Sequence, residues 1–141
     1  MTLRAEIVSP EKRHLEMDVD MVVVPGTEGD IAAMPGRAPL MLQLWGGIVT
    51  LYKDEQVVAR LFVSGGFVDM SADRCIVLAD SVRALKDLSP DDARQRLGEL
   101  EAQWSHVGPE EYQAHDTLTM QIQAVRAELE AGEEFAKGEL N

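Results

Sequence analysis

The hydrophobic period of the chain changes once, near Leu88, and that change restricts the fold to a β unit followed by helices. From Thr2 to about Asp80 apolar and polar residues alternate at period two. Leu3, Ala5 and Ile7 alternate with Arg4 and Glu6, then Leu15, Met17, Val19 and Met21 with Glu16, Asp18 and Asp20. Residues 48–52 and 57–63 flank Lys53-Asp54-Glu55-Gln56. Residues 67–70 and 75–78 flank Ser71-Ala72-Asp73-Arg74. Both spacings predict β-hairpins. Many short strands with Gly/Pro turns and no intervening helix predict an antiparallel sandwich or barrel.

Past Leu88 the period becomes helical. Ser89-Pro90-Asp91-Asp92 is a helix start: a hydroxyl cap, a proline at the first helical position, and two acids at the positive end of the dipole. Ala93, Leu97, Leu100 and Trp104 then form one apolar stripe, and Leu118, Ile122, Val125 and Leu129 form a second. Gly108-Pro109-Glu110-Glu111 separates them, Gly132 suits a C-terminal cap, and residues 133–141 are expected to fray. Matching stripes on a short connection predict an antiparallel helical hairpin. The expected fold class is α+β, mainly β: an antiparallel β-sandwich over 1–87, then a two-helix hairpin over 88–141.

Composition limits what such a chain can bind. At 141 residues and 45% hydrophobic it has material for one ordinary core. No apolar run reaches the ~18–20 residues that cross a bilayer, and the N-terminus lacks a signal peptide's apolar centre, so a soluble cytosolic protein is expected. Net charge is −12, unevenly spread. Residues 1–86 hold nine Lys/Arg and twelve Asp/Glu, whereas 87–141 hold four and thirteen. That acidic second part argues against nucleic acid and direct contact with anionic lipid.

Catalytic chemistry is sparse. His14, His106 and His115 are widely spaced and form no metal-ligand pairing, so no metal and no cofactor are expected. Cys75, alone in its apolar strand, reads as buried core rather than a nucleophile. Ser64 precedes Gly65-Gly66 but lacks the G-x-S-x-G frame and a histidine partner. The loop Gly26-Thr27-Glu28-Gly29-Asp30 carries two carboxylates where a phosphate cradle needs amides and a lysine. Met34, Met41 and Trp45 cluster in the segment after this loop; adaptable thioethers suit an interface, although buried core is the default explanation for any one of them.

Four segments in register carry a family likeness: Val24-Pro25-Gly26-Thr27-Glu28-Gly29-Asp30, Met34-Pro35-Gly36-Arg37-Ala38-Pro39-Leu40, Ser64-Gly65-Gly66, and Val77-Leu78-Ala79-Asp80. In this order the chain resembles the ε subunit of the rotary F-type ATP synthase, strongly over about 3–86 and only in general outline beyond. The resemblance implies a non-catalytic, central-stalk rotor component of a proton-translocating complex. Its sandwich would dock on the γ subunit and the c-ring within the α3β3γδε assembly. It would lie at the cytoplasmic face of a bacterial inner membrane, or an equivalent energy-transducing membrane, touching it only through the complex. By the same resemblance the Glu28–Asp30 loop lies near the c-ring and the turn at 34–40 at the γ/c-ring junction, which makes Glu28, Asp30, Met34, Arg37 and Met41 the candidate interface residues. Arg37 stands where many relatives carry histidine, a permanent cation in place of a titrating imidazole.

The tail departs further. In many bacterial relatives the hairpin extends and blocks ATP hydrolysis through basic residues in its second helix. Here, from Asp116 onward, only Arg126 and Lys137 stand against six carboxylates. Weak or absent inhibition is the expectation. Some relatives bind ATP through an I/L-D-x-x-R-A motif, of which Asp91 and Arg94 keep only the acid-to-guanidinium spacing. An N-cap with a surface ion pair explains them more simply. The rival reading is a free-standing β-sandwich binding module whose helices oligomerise.

Overall fold

The computed structural model describes residues 1–140; Asn141 lies outside the described residues. Ten strands come first: β1 (Leu3–Val8), β2 (Arg13–Val19), β3 (Met21–Gly26), β4 (Gly29–Ala33), β5 (Leu40–Leu44), β6 (Gly47–Lys53), β7 (Gln56–Val63), β8 (Gly66–Met70), β9 (Arg74–Ala79) and β10 (Val82–Ala84). They pair in the order β10-β7-β6-β3-β5-β8-β9-β1-β2, with β4 on β3. The link between β3 and β5 is a single pair, Gly26 with Leu44, so the ladder folds there into two layers. Leu51, Val49 and Val22 from one layer meet Leu44, Val68, Met70 and Val77 from the other in one closed core. Every member of that core is a sheet residue.

Both expected hairpins form, β6–β7 and β8–β9. In the first, Asp54 and Glu55 both take positive φ, 53° and 64°, the conformation of a type I′ hairpin turn. One strand pair departs from the antiparallel expectation: β1 runs parallel to β9. One local feature departs from what its residue types suggest, since Pro-Gly pairs commonly mark turns. Pro25-Gly26 is no turn but the end of β3; the chain reverses one step later at Thr27-Glu28, with Gly26 opposite Gly29. Gly66 marks a close backbone approach, because a Cβ there would sit 2.1 Å from the Leu78 carbonyl oxygen at φ +131°.

A turn of 3-10 helix (Leu85–Asp87) leads into α1 (Pro90–His106), whose Ser89 hydroxyl accepts from the Asp92 N–H at 3.3 Å. The second helix, α2 (Tyr112–Ala136), outruns its expected end. Gly132 is not its cap: it is buried inside the helix, where a Cβ would lie 3.2 Å from Pro90 Cγ. The helix stops instead at Gly138, φ +79°, where Glu139 N–H reaches back to Glu134 carbonyl at 3.0 Å. Residues 133–136 are therefore helix, and Phe135 packs with Leu140 beside Phe62, Leu85, Leu88 and Ala131.

That small cluster lies on the outer side of β7, opposite to the core face carried by Leu61 and Val63. Two polar fastenings join it. The Gln123 side-chain amide accepts from Gly46 N–H at 2.7 Å and donates to Gly46 carbonyl at 2.8 Å. Glu128, 6% exposed, receives Arg83 Nη1 of β10 at 3.0 Å and Arg96 Nη2 of α1. Helix α1 packs chiefly on α2, with Trp104 edge-on to His115 at a ring separation of 4.5 Å.

Candidate partner interface

The five residues expected at an interface fall in three places. Glu28 occupies the tip of the β3–β4 hairpin and Asp30 follows it, both exposed. Beneath them Thr27 is fixed: its N–H donates to Gln43 carbonyl at 3.2 Å, and its carbonyl accepts Trp45 Nε1 at 2.8 Å. Asp30 also helps line a cleft of about 760 Å3 that α2 completes with Gln123, Glu130 and Glu134. The tip is thus close to the helical pair.

β4 then carries the chain to the other end of its ladder, five residues at about 3.3 Å each. Met34, 51% exposed, stands there at the start of a turn pinned on both sides. Arg37 N–H donates to Met34 carbonyl at 3.3 Å, and Gly36, at φ +86°, donates to Ala72 carbonyl of the β8–β9 turn at 2.8 Å. The half-buried Arg37 side chain donates through Nη1 to Ala32 carbonyl at 3.3 Å, while its Nε is buried without a partner. Among the described residues no carboxylate answers this guanidinium. The guanidinium charge, left without a carboxylate and flanked by an exposed Met34, suits an incoming acceptor at its terminal nitrogens rather than at the buried Nε.

Met41 belongs to a third feature, the bare outer face of the β5-β8-β9 layer. It stands opposite Asp69, and Asp69 opposite Ile76. One step along, Gln43 stands opposite Phe67 and Phe67 opposite Leu78. Met41, Phe67 and Leu78 are 64%, 50% and 47% exposed. The inward residues of these strands, Val68, Met70, Cys75 and Val77, are buried in the core. The strands are therefore apolar on both sides, although the helices cover the other layer. Sequence reasoning singled out Met41 and missed Phe67 and Leu78. The available signal was that two-sided apolarity, since an antiparallel strand with one wet face should alternate cleanly.

Possible reactive groups are accounted for structurally. Burial, reinforced by Asp69, pushes the Cys75 thiol up to about 12, the wrong direction for a nucleophile. Ser64 accepts from the Ser81 hydroxyl at 2.7 Å and has no histidine partner. Ser9 does lie 2.7 Å from His14 Nε2 and 2.9 Å from Glu11. Both contacts fall on the hydroxyl, so the carboxylate does not orient the imidazole as a base would require. This group instead closes the β1–β2 turn, where Ser9 N–H donates to Lys12 carbonyl at 2.9 Å. Arg94 is held by Asp91 at 2.7 Å with Glu133 at 3.9 Å, so its charge is engaged on the surface.

No helix among the described residues is long and apolar enough to cross a membrane. Residues 2–84, the whole strand region, match the family model for the ATP synthase Delta/Epsilon chain, beta-sandwich domain. The chain is 49% identical over 131 residues to the ATP synthase epsilon chain of Gluconacetobacter diazotrophicus, covering 93% of each. It is 45% identical over 126 residues to that of Granulibacter bethesdensis, covering 89% of this chain and 93% of the relative. Its fold matches a chain of the Euglena gracilis mitochondrial ATP synthase with a TM-score of 0.66 at 17% identity, over 99% of this chain and 82% of the other. A chain from the Tetrahymena thermophila mitochondrial ATP synthase central stalk and c-ring gives 0.66 at 12% identity, over 94% and 97%. With sequence likeness spanning both the sandwich and the helices, the chain belongs to the ATP synthase epsilon chain family.

Proposed function

We propose that the chain is the non-catalytic, central-stalk ε component of a proton-translocating ATP synthase, docked on γ through the bare outer face of the β5-β8-β9 layer. The observation that carries this reading is the exposed pair Phe67–Leu78 with Met41 in the neighbouring row, on the outer sheet face that the chain's own helices leave uncovered. Apolar area there supplies most of the affinity, with Phe67 as the anchor. The two ends of β4 serve the c-ring: Arg37 donates to a carboxylate, and Glu28 with Asp30 offers screened, orienting charge. Residues 1–87 are the docking unit and 88–141 a hairpin carried on it. The complex holds the chain peripherally at the cytoplasmic face of a bacterial inner membrane.

Rebinding to ε-depleted F1 from the same source tests the docking face. Phe67→Asp weakens binding by about thirtyfold or more, as expected for a central anchor worth at least ~2 kcal/mol, with the circular-dichroism spectrum unchanged. Unaltered binding would rule this face out. In the same preparation the full chain and a chain ending at Leu88 should inhibit hydrolysis equally, because the hairpin surface is acidic.

A further inference from the structure

The hairpin could be fastened to the sheet by each helix separately or by one. The charged link of α1 to the sheet runs through Glu128 of α2. That carboxylate is the one acidic side chain buried among the described residues, and it meets guanidinium groups from two other elements. The surrounding apolar cluster is small, and the main core contains no helix residue.

We propose that Glu128 is the positioning residue that docks the helical pair. Its carboxylate joins β10, α1 and α2 at one point, so both helices attach to the sheet, and leave it, as one unit. Two features bear on this attachment, and a third contact lies apart from it. Removing the charge leaves Arg83 and Arg96 facing each other across an amide that can accept from both but neutralise neither. Gly46 admits α2 only while the helix keeps its register, since a Cβ on Gly46 would lie 2.6 Å from Ala124 Cα. The Trp104–His115 contact lies wholly within the hairpin and does not depend on docking.

The test uses the isolated full chain and needs no partner, so its outcome is independent of the γ-docking reading. In Glu128→Gln, amide exchange over both helices should accelerate at least about tenfold, the loss expected for a bond to a charged group, while β8 and β9 amides keep their protection. Trp45, which lines the sheet–helix cleft together with Gln123 and Ala127, should shift its emission to the red. The ring-current shift of His115 by Trp104 should persist. Arg83→Met, which leaves the Arg96–Glu128 pair inside the hairpin, should give the same pattern. Unchanged helix exchange in either variant overturns the proposal. So does loss of the His115 shift, because the hairpin would then be melting rather than undocking.

Discussion

The sandwich and the helical pair use their polar and apolar residues in opposite ways. In the sandwich, strands from both layers close on Leu51, Leu44, Val68 and Met70, and charge stays outside, as where Arg4 meets Glu16 and Asp18. In the helical pair the apolar seam is thin, Trp104 is 41% exposed, and a buried carboxylate carries the attachment. Burying each large aliphatic side chain in the first is worth about 1.5–3 kcal/mol, whereas a buried ion pair offsets its own desolvation only when its geometry is kept. The sandwich is thus stable by area and the helices are placed by specific bonds. The docking residues follow the same division: the bare apolar face belongs to the sandwich, and the excess acid belongs to the helices.

Glycine substitutions separate the two regions most sharply. Gly66→Ala puts a Cβ against the Leu78 carbonyl in a backbone region that side chains rarely enter, and should cost about 3 kcal/mol or more in a denaturant titration. A cost under about 1 kcal/mol would mean the β8–β9 contact yields easily, which would weaken the contrast. Gln123→Ala acts between the regions. It strips the partner from a buried Gly46 N–H and should cost about 1–3 kcal/mol, read as faster exchange of the Gly46 amide with β9 protection intact. Gly98→Ala should do the reverse of Gly66→Ala. Nothing lies within 4 Å of its would-be Cβ, so α1 should gain up to about 1 kcal/mol. Loss of stability there would mean that α1 is packed on its outer side as well.

Much of this architecture was legible in the sequence because period two and period 3.6 are local signals. The hairpins at 53–56 and 71–74, the Ser89 cap and the two-helix stripe needed no knowledge of neighbours. What was missed depends on distant partners. Gly132 looked like a stop because glycine ends helices, yet it is in the helix because Pro90 packs against it. The stripe itself held the answer, since Ile122, Val125, Glu128 and Gly132 keep helical spacing and are all buried. Glu128 read as one more surface acid because nothing local announces two arginines arriving from β10 and α1. Among interface residues, Met41 was visible as an unusual residue type. Phe67 and Leu78 look like core until it is known which layer the helices cover.

Acid titration gives the smallest effect and probes the sandwich alone. The hydrogen bond from Arg4, with Arg13 adding to it, holds the Glu16 carboxyl below its ordinary 4.5. In the unfolded chain this group takes up its proton first as pH falls. The stabilisation is therefore fully present above that ordinary value and is lost as pH drops through the lower folded one. Glu16→Gln should leave Tm at neutral pH little changed, because the pair is exposed and screened, and should slightly flatten the decline in Tm towards about pH 3. Glu128 belongs to the other region and offers the internal contrast: its two guanidiniums are on different elements, so Glu128→Gln should change helix docking at neutral pH, where Glu16→Gln does not. If Glu16→Gln also loosened the helices at neutral pH, the sandwich and the hairpin would be coupled through the β1–β2 edge, and the division between a region held by area and one held by specific bonds would fail.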